Sequence, residues 1–357
     1  MQGRDPLAGK LPVTLITGYL GSGKTTLLKH LLRDPGMNRA AVIINEFGEV
    51  GIDHELVAAS SEQMTLLSNG CLCCAVRTDL QETLRELFIK RRAGEVIDFD
   101  RVFVETTGLA DPAPVLHTLQ SDGLLGAQYR LEGVVTVVDA VNGMATLDAA
   151  PEAPKQVAVA DRIIVTKSDI AAPDATAALE RRLRSMNPYA LQTRAVNGQV
   201  EVAFLQDISP ANARTTVQQA SRWLAPAGIE GEPRGANGRQ GAYLGDKVAA
   251  AHDPSIRSFC LWFDQPFSWD SFSAAVQVLT SLRGADLLRV KGLINVAGER
   301  GPVVVQGAQH VFHPPVTLDA WTSEDRRSRL VFITRHLERD AVSALFAAVG
   351  MIGSPKA

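Results

Sequence analysis

The eight residues GYLGSGKT (18–25) constrain this chain more than any other stretch. They fit the pattern G-x-x-x-x-G-K-T in full, follow a β-branched apolar run, VTLITG (13–18), and open an amphipathic one, KTTLLKHLLRD. A phosphate-binding loop works at such a strand-to-helix junction, where glycines let backbone N–H groups curl round an anion at the helix N-terminus. Gly18, Gly21, Ser22 and Gly23 then form the cradle, Lys24 reaches the β- and γ-phosphates, and Thr25 offers its hydroxyl to Mg²⁺.

The surrounding sequence has the rhythm that such a loop needs. Between Leu11 and about Arg222, apolar runs AAVIINEF (40–47), RVFVETTG (101–108), VVTVVDAV (134–141) and RIIVTKSD (162–169) alternate with amphipathic stretches. Runs of this kind read as strands buried on both faces, and their alternation with helices implies a mainly parallel α/β sheet of the P-loop NTPase type. In the helical pattern RTDLQETLRELFIKRR, Leu80, Leu84, Leu87 and Phe88 fall on one stripe, and Thr78 with Gln81 offers a capping box.

A Gly/Pro-rich passage, APAGIEGEPRGANGRQGAYLGD (225–246), breaks the rhythm. Strand-like IRSFCLWFD, LLRVKGLINVAG, PVVVQGAQHVFH and SRLVFITR then mix with helix-like WDSFSAAVQVLTSLR and RDAVSALFAAVG, which reads as a smaller α+β domain on an antiparallel sheet. The expected organisation is a P-loop domain over 1–224, a linker over 225–254 and a C-terminal domain over 255–357. A chain of 357 residues is long enough for two cores.

Lys plus Arg (36) nearly balance Asp plus Glu (39), so no basic footprint for nucleic acid or an anionic membrane is present in the composition. The N-terminus lacks the apolar core of a signal peptide, and no run approaches the ~20 apolar residues of a membrane helix. The expectation is a cytoplasmic protein that binds neither nucleic acid nor membrane.

Two further signals refine the nucleotide. Glu105 and Gly108 end the third run, where P-loop enzymes place a carboxylate near Mg²⁺ and a glycine amide near the γ-phosphate. TKSD (166–169) resembles the guanine-specificity motif of GTPases: Asp169 accepts from the guanine ring N–H and amine, and Lys167 lies along the base. Adenine leaves that carboxylate unpaired, a discrimination of about 10⁴-fold, so GTP is expected over ATP.

Three of the four cysteines, Cys71, Cys73 and Cys74, crowd into four positions between the second and third runs. Neighbours so close do not reach an unstrained disulfide. Asn69 and Gly70 before them suggest a turn, and the thiols are expected on one tight loop. Two thiolates about 4 Å apart repel by about 4 kcal/mol at an effective dielectric of about 20, so the pair stays protonated until a soft divalent cation displaces the protons. Thiolates suit Zn²⁺ or Cu⁺, with Co²⁺ also in range, and disfavour Mg²⁺. Three buried thiols or a redox dithiol are the competing readings. Glu46 and Glu49, in NEFGEVGID (45–53), are either further oxygen ligands or solvated loop acids.

Taken in order, GYLGSGKTT, NEFGE, GCLCC, ETTG with the following ADP, and TKSD resemble the CobW family of metal-binding GTPases, and LLRVKGLINVAG with DRRSRLVFITRHL is similar to that family's C-terminal domain. The resemblance implies a slow GTPase that binds GTP, Mg²⁺ and a divalent metal (zinc, or cobalt or iron) together and passes the metal to a client apo-protein. It extends nucleotide binding to Thr26, metal binding to Cys71, Cys73 and Cys74 with Glu49 as an added ligand, and catalytic roles to Lys24, Thr25 and Glu105. Relatives that dimerise under nucleotide control make a homodimer a further expectation. Two departures stand out: Ile44 occupies a position that is acidic in some relatives, and the Gly-rich linker holds His252 instead of a His-rich tract. His310 and His313 are expected on a strand edge and His117 on a helix surface. The competing function is a P-loop ATPase or kinase with structural or redox cysteines.

Overall fold

The computed structural model describes residues 9–45, 64–66, 72–76, 80–206, 208, 220, 224, 256–321 and 324–352. These residues gather into two compact units, one holding residues 9–180 with 192–208 and the other holding 181–191 with the chain from 256 onward.

The first unit is built on an eight-stranded sheet. Its strands are β1 (Leu11–Thr17), β2 (Ala40–Asn45), β3 (Met64–Leu66), β4 (Leu72–Val76), β5 (Arg101–Thr106), β6 (Tyr129–Asp139), β7 (Arg162–Thr166) and β8 (Leu191–Ala195), in the order β3-β4-β2-β5-β1-β6-β7-β8. From β4 to β7 every pairing is parallel; β3 runs antiparallel to β4 at the edge. Each of the five apolar runs became a strand, and β3, β4 and β8 are additions that the apolar pattern left unmarked.

Helices α1 (Lys24–Leu31), α2 (Leu80–Ala93), α3 (Ala113–Ser121), α4 (Gly123–Gln128), α5 (Gly143–Ala149), α6 (Glu152–Ala158) and α7 (Pro173–Met186) connect the strands. The leucine stripe of α1 packs Leu27, Leu28, Leu31 and Leu32 against Ile16, Val42, Phe103, Val135 and Ile164, so one hydrophobic layer joins helix to sheet. Leu80, Leu84 and Leu87 of α2 are buried as their spacing requires. Gln81 does not turn back on its own helix: it and Arg85 donate to Asp122, which caps α4 through the Leu124 and Leu125 amides. Those hydrogen bonds, the Leu125 amide's foremost, outweigh desolvation and hold the Asp122 carboxyl down to about 2.

In the second unit, β9 (Ile256–Phe263), β10 (Leu287–Ile294), β11 (Val303–Ala308), β12 (Val311–Phe312), β13 (Val316–Thr317) and β14 (Ser328–Arg335) form a sheet of order β12-β11-β10-β14-β9, with β13 also on β11. All its pairings are antiparallel. The helices Trp269–Arg283 and Arg339–Ile352 bring Phe272 and Phe346 onto Phe259 and Phe332, which makes an aromatic-rich core. The stretch PVVVQGAQHVFH splits into two short strands because Gln309 adopts a left-handed φ of 52°. His310 sits in that turn, where its ring closes on Gly284, while the His313 ring meets Gln306 at 3.3 Å, so the two do not form a pair. His117 is exposed on α3. Among the described residues, no helix is long and apolar enough to cross a membrane.

Candidate nucleotide and metal site

The carboxyl ends of β1, β5, β6 and β7 meet at one edge of the sheet, where open α/β proteins bind ligands. The loop Gly18–Gly23 leaves β1 there and turns into α1. Gly18 has φ 142°, and a Cβ on it would stand 2.2 Å from the Val137 carbonyl oxygen, so only glycine lets the loop pass over β6. Gly21 and Gly23 also take positive φ, at 70° and 98°. The Thr166 hydroxyl at the end of β7 donates to the Ser22 carbonyl at 2.6 Å and ties the loop to the sheet.

Lys24 is buried, and its Nζ donates to the carbonyls of Gly18 (2.8 Å) and Tyr19 (3.1 Å). The ammonium is thus held inside the loop, where β- and γ-phosphate oxygens enter such cradles. Thr25, next on α1, donates its hydroxyl to Glu105 Oε1 at 2.8 Å. Glu105, only 5% exposed, ends β5 beside Thr106, whose hydroxyl donates to Thr17. A hydroxyl and a carboxylate that converge beside a phosphate cradle are a donor set suited to Mg²⁺, a hard cation that takes oxygen ligands. Thr26 is exposed on the first turn of α1.

Gly108 follows β5, and a Cβ there would fall 2.5 Å from the Leu20 backbone nitrogen, so this backbone lies directly on the phosphate loop. Lys167, at φ 58°, directs its Nζ to Asp139 Oδ2 at 2.8 Å, and Asp169 is exposed on the turn after β7. Asp139 was missed in the sequence; it ends β6 and also accepts from the Val141 amide and the Asn142 side chain. Burial works to raise its carboxyl, but the Lys167, Asn142 and Val141 hydrogen bonds outweigh it and hold the group below the ordinary carboxylate range. Its signal was its place, the last residue of an apolar strand, which is the same signal that had marked Glu105.

A second feature missed in the sequence is the turn after β8. A Cβ on Gly198, at φ 78°, would lie 2.5 Å from the Thr26 carbonyl oxygen, so this turn closes over the start of α1. Gln156 of α6, which reaches the Gly108 segment, was also unmarked.

The cysteine segment differs from the tight loop expected. Leu72–Val76 is a strand, β4, which pairs Cys73 with Val42 and Cys74 with Ile43 of β2 on one side and with Thr65 and Met64 of β3 on the other. Two backbone ladders outweigh the turn preference read from Asn69 and Gly70, which themselves lie outside the described residues. Cys71 and Glu49 lie outside the described residues, as does Glu46. Among the described residues, no group of three or more His, Cys, Asp or Glu side chains is placed to hold a metal. Cys260, on β9, has its thiol pushed up to about 11, chiefly by burial.

A parallel sheet with a glycine-tied phosphate loop, a buried lysine and a converging hydroxyl–carboxylate pair defines a P-loop nucleotide-binding protein. Residues 12–193 match the CobW/HypB/UreG nucleotide-binding domain and residues 256–350 the cobalamin synthesis protein cobW C-terminal domain, and the chain belongs to this CobW family. It is 32% identical over 339 residues to the zinc chaperone YjiA of Escherichia coli, an alignment covering 95% of this chain and 98% of that one. Similarity extends to zinc-regulated GTPase metalloprotein activator 1 of Saccharomyces cerevisiae, 28% identical over 94% of this chain and 82% of the relative. The crystal structure of Zn(II)-bound YjiA GTPase from E. coli superimposes with a TM-score of 0.70 at 31% identity, covering 95% of this chain and 99% of that one.

Proposed function

We propose that this chain is a GTP-hydrolysing metallochaperone that loads a divalent transition metal, zinc foremost, on Cys71, Cys73 and Cys74 and hands it to a client apo-metalloprotein. The relatives named as zinc chaperones and as a zinc-regulated GTPase metalloprotein activator support the activity and the cargo.

In this reading Lys24 and the loop amides bind the β- and γ-phosphates, the Gly108 amide faces the γ-phosphate, and Lys167 and Asp169 select guanine. Thr25 and Glu105 would hold Mg²⁺, which neutralises charge on the phosphates when bound. Catalysis in such a site is positioning and charge stabilisation by Lys24 and the residues around the phosphates, and slow intrinsic turnover is the expectation until a partner adds to it.

One observation carries the coupling between cargo and nucleotide. Ile44 of β2 is in register with Glu105 of β5 on one side and with Ala75 of β4, the residue after Cys74, on the other. Strands sit about 4.8 Å apart, so the cysteine strand runs level with the candidate Mg²⁺ carboxylate at about 10 Å. A change that reaches Glu105 is two strands from the cysteine-bearing strand.

Competitive metal titration, zinc against cobalt, with and without Mg²⁺ and a non-hydrolysable GTP analogue, tests the reading. Zinc affinity is expected to rise at least tenfold with nucleotide, about 1.4 kcal/mol of coupling. Cys73→Ala is expected to abolish tight zinc binding and leave GTP affinity within about twofold. Zinc affinity indifferent to both changes would overturn the proposal.

A further inference from the structure

The segment that follows β5 is held from below by a side chain outside every nucleotide motif. Gln156 of α6 is 1% exposed, and its Nε2 donates to two carbonyl oxygens, those of Gly108 and Ala110, both at 3.1 Å. Its own backbone carbonyl accepts the Thr136 hydroxyl at 2.6 Å, which anchors this part of α6 to β6. The preceding residue, Lys155, pairs with Asp111 at 3.3 Å, and Asp111 in turn accepts from the Ala113 amide that begins α3. Three links therefore run from α6 to residues 108–111.

We infer that Gln156 is a positioning residue for the γ-phosphate-facing backbone, a clamp that fixes the direction of the Gly108 amide. A primary amide has two N–H donors, and here both are spent on carbonyls two residues apart. With both carbonyls held, the peptide planes between 108 and 109 and between 110 and 111 lose freedom to rotate, and the Gly108 N–H, just across its Cα from the first of them, is restrained in turn. Gly108 lies so close to Leu20 of the phosphate loop that a modest rotation there decides whether its N–H meets a γ-phosphate oxygen. Glutamate in place of Gln156 would set a carboxylate against two carbonyl oxygens, asparagine falls a methylene short, and leucine donates nothing. Gln156 also walls a cavity of about 30 Å³ with Tyr19, Leu20, Ser22, Asp139 and Asn142, so α6 faces the phosphate loop across it. The inference rests on the reading that the Gly108 amide faces the γ-phosphate.

The consequence is selective. GDP has no γ-phosphate and does not use the Gly108 amide, so loosening the clamp acts on the triphosphate alone. In the full chain, Gln156→Leu is expected to lower affinity for a non-hydrolysable GTP analogue about tenfold and kcat for GTP at least tenfold, with GDP affinity held within about twofold. A merely structural role would weaken both nucleotides together, so the GTP-to-GDP affinity ratio is the deciding readout. Gln156→Glu, which keeps the volume, carries the same prediction should the leucine variant not fold. An unchanged ratio and unchanged kcat in a folded variant overturn the inference. Gly108→Ala separates the two layers: if it alters the ratio and Gln156→Leu does not, the clamp fails and the site reading stands. If Gly108→Ala leaves the ratio untouched, the reading of Gly108 is what fails.

Discussion

Asp139 concentrates the residue-scale chemistry that the motifs left out. It takes the Lys167 ammonium, the Asn142 amide and the Val141 N–H on one carboxylate at the end of β6, and so fixes the lysine of the TKSD stretch. Its folded pKa lies below the unfolded value of about 3.9. A depressed carboxyl contributes stability that is fully present above that unfolded value and is lost as pH falls through the folded one. The stability gap between the wild type and Asp139→Asn is therefore expected to be constant near neutral pH and to close below about pH 4. Urea melts at stepped pH values measure it, and a gap that does not narrow as the pH falls below about 4 would contradict the ion-pair account. Asp139 also shows the limit of reading residues alone. TKSD declared itself as a string, whereas Asp139 becomes meaningful only when β6 and β7 pair and bring it to Lys167, twenty-eight positions along the chain.

At the scale of elements, the strands legible in the sequence were those buried on both faces. The strands within VTLITG, RVFVETTG and RIIVTKSD are rich in apolar residues and buried along nearly their whole length because parallel strands inside a layered α/β unit meet helices on either side. The edge strands carry no such mark: in β8, LQTRA, only Ala195 is buried, and β3 has three residues. β4 was hidden for another reason, since the chemistry of its cysteines drew attention from their value as small apolar strand residues. The turn into α1 makes a sharper prediction. Gly18→Ala must fit a Cβ 2.2 Å from the Val137 oxygen at a φ of 142°, whereas Gly21→Ala meets nothing within 4 Å and carries only the cost of φ 70°. Gly21→Ala is expected to cost about 1–2 kcal/mol and Gly18→Ala about 3 kcal/mol or more, because overpacking adds to backbone strain. Chemical denaturation of the two variants side by side checks the order, and equal costs would place the strain in the dihedral alone.

For the whole molecule, the division of the chain into units need not follow the linker. The Gly/Pro-rich passage suggested that everything before residue 225 folds together, yet residues 181–191 gather with the chain beyond 256. Tyr189 is the physical reason. Its phenol is pushed up by burial and by the Cys260 thiol, with Arg329 opposing, so it sits among β9 and β14 side chains of the second unit. Those two strands are themselves in register, with Trp262 opposite Arg329 and Cys260 opposite Val331. Removing the ring leaves a hole against the sheet that the second unit alone must accommodate, at a cost of about 3–5 kcal/mol for an aromatic-to-alanine change. Native-state hydrogen exchange resolves where that cost falls, since each cooperative part opens with its own free energy. Tyr189→Ala is expected to lower protection in β9, β10 and β14 by that amount and to leave β1, β5 and β6 unchanged. A uniform loss across both sheets would mean that the two units open as one.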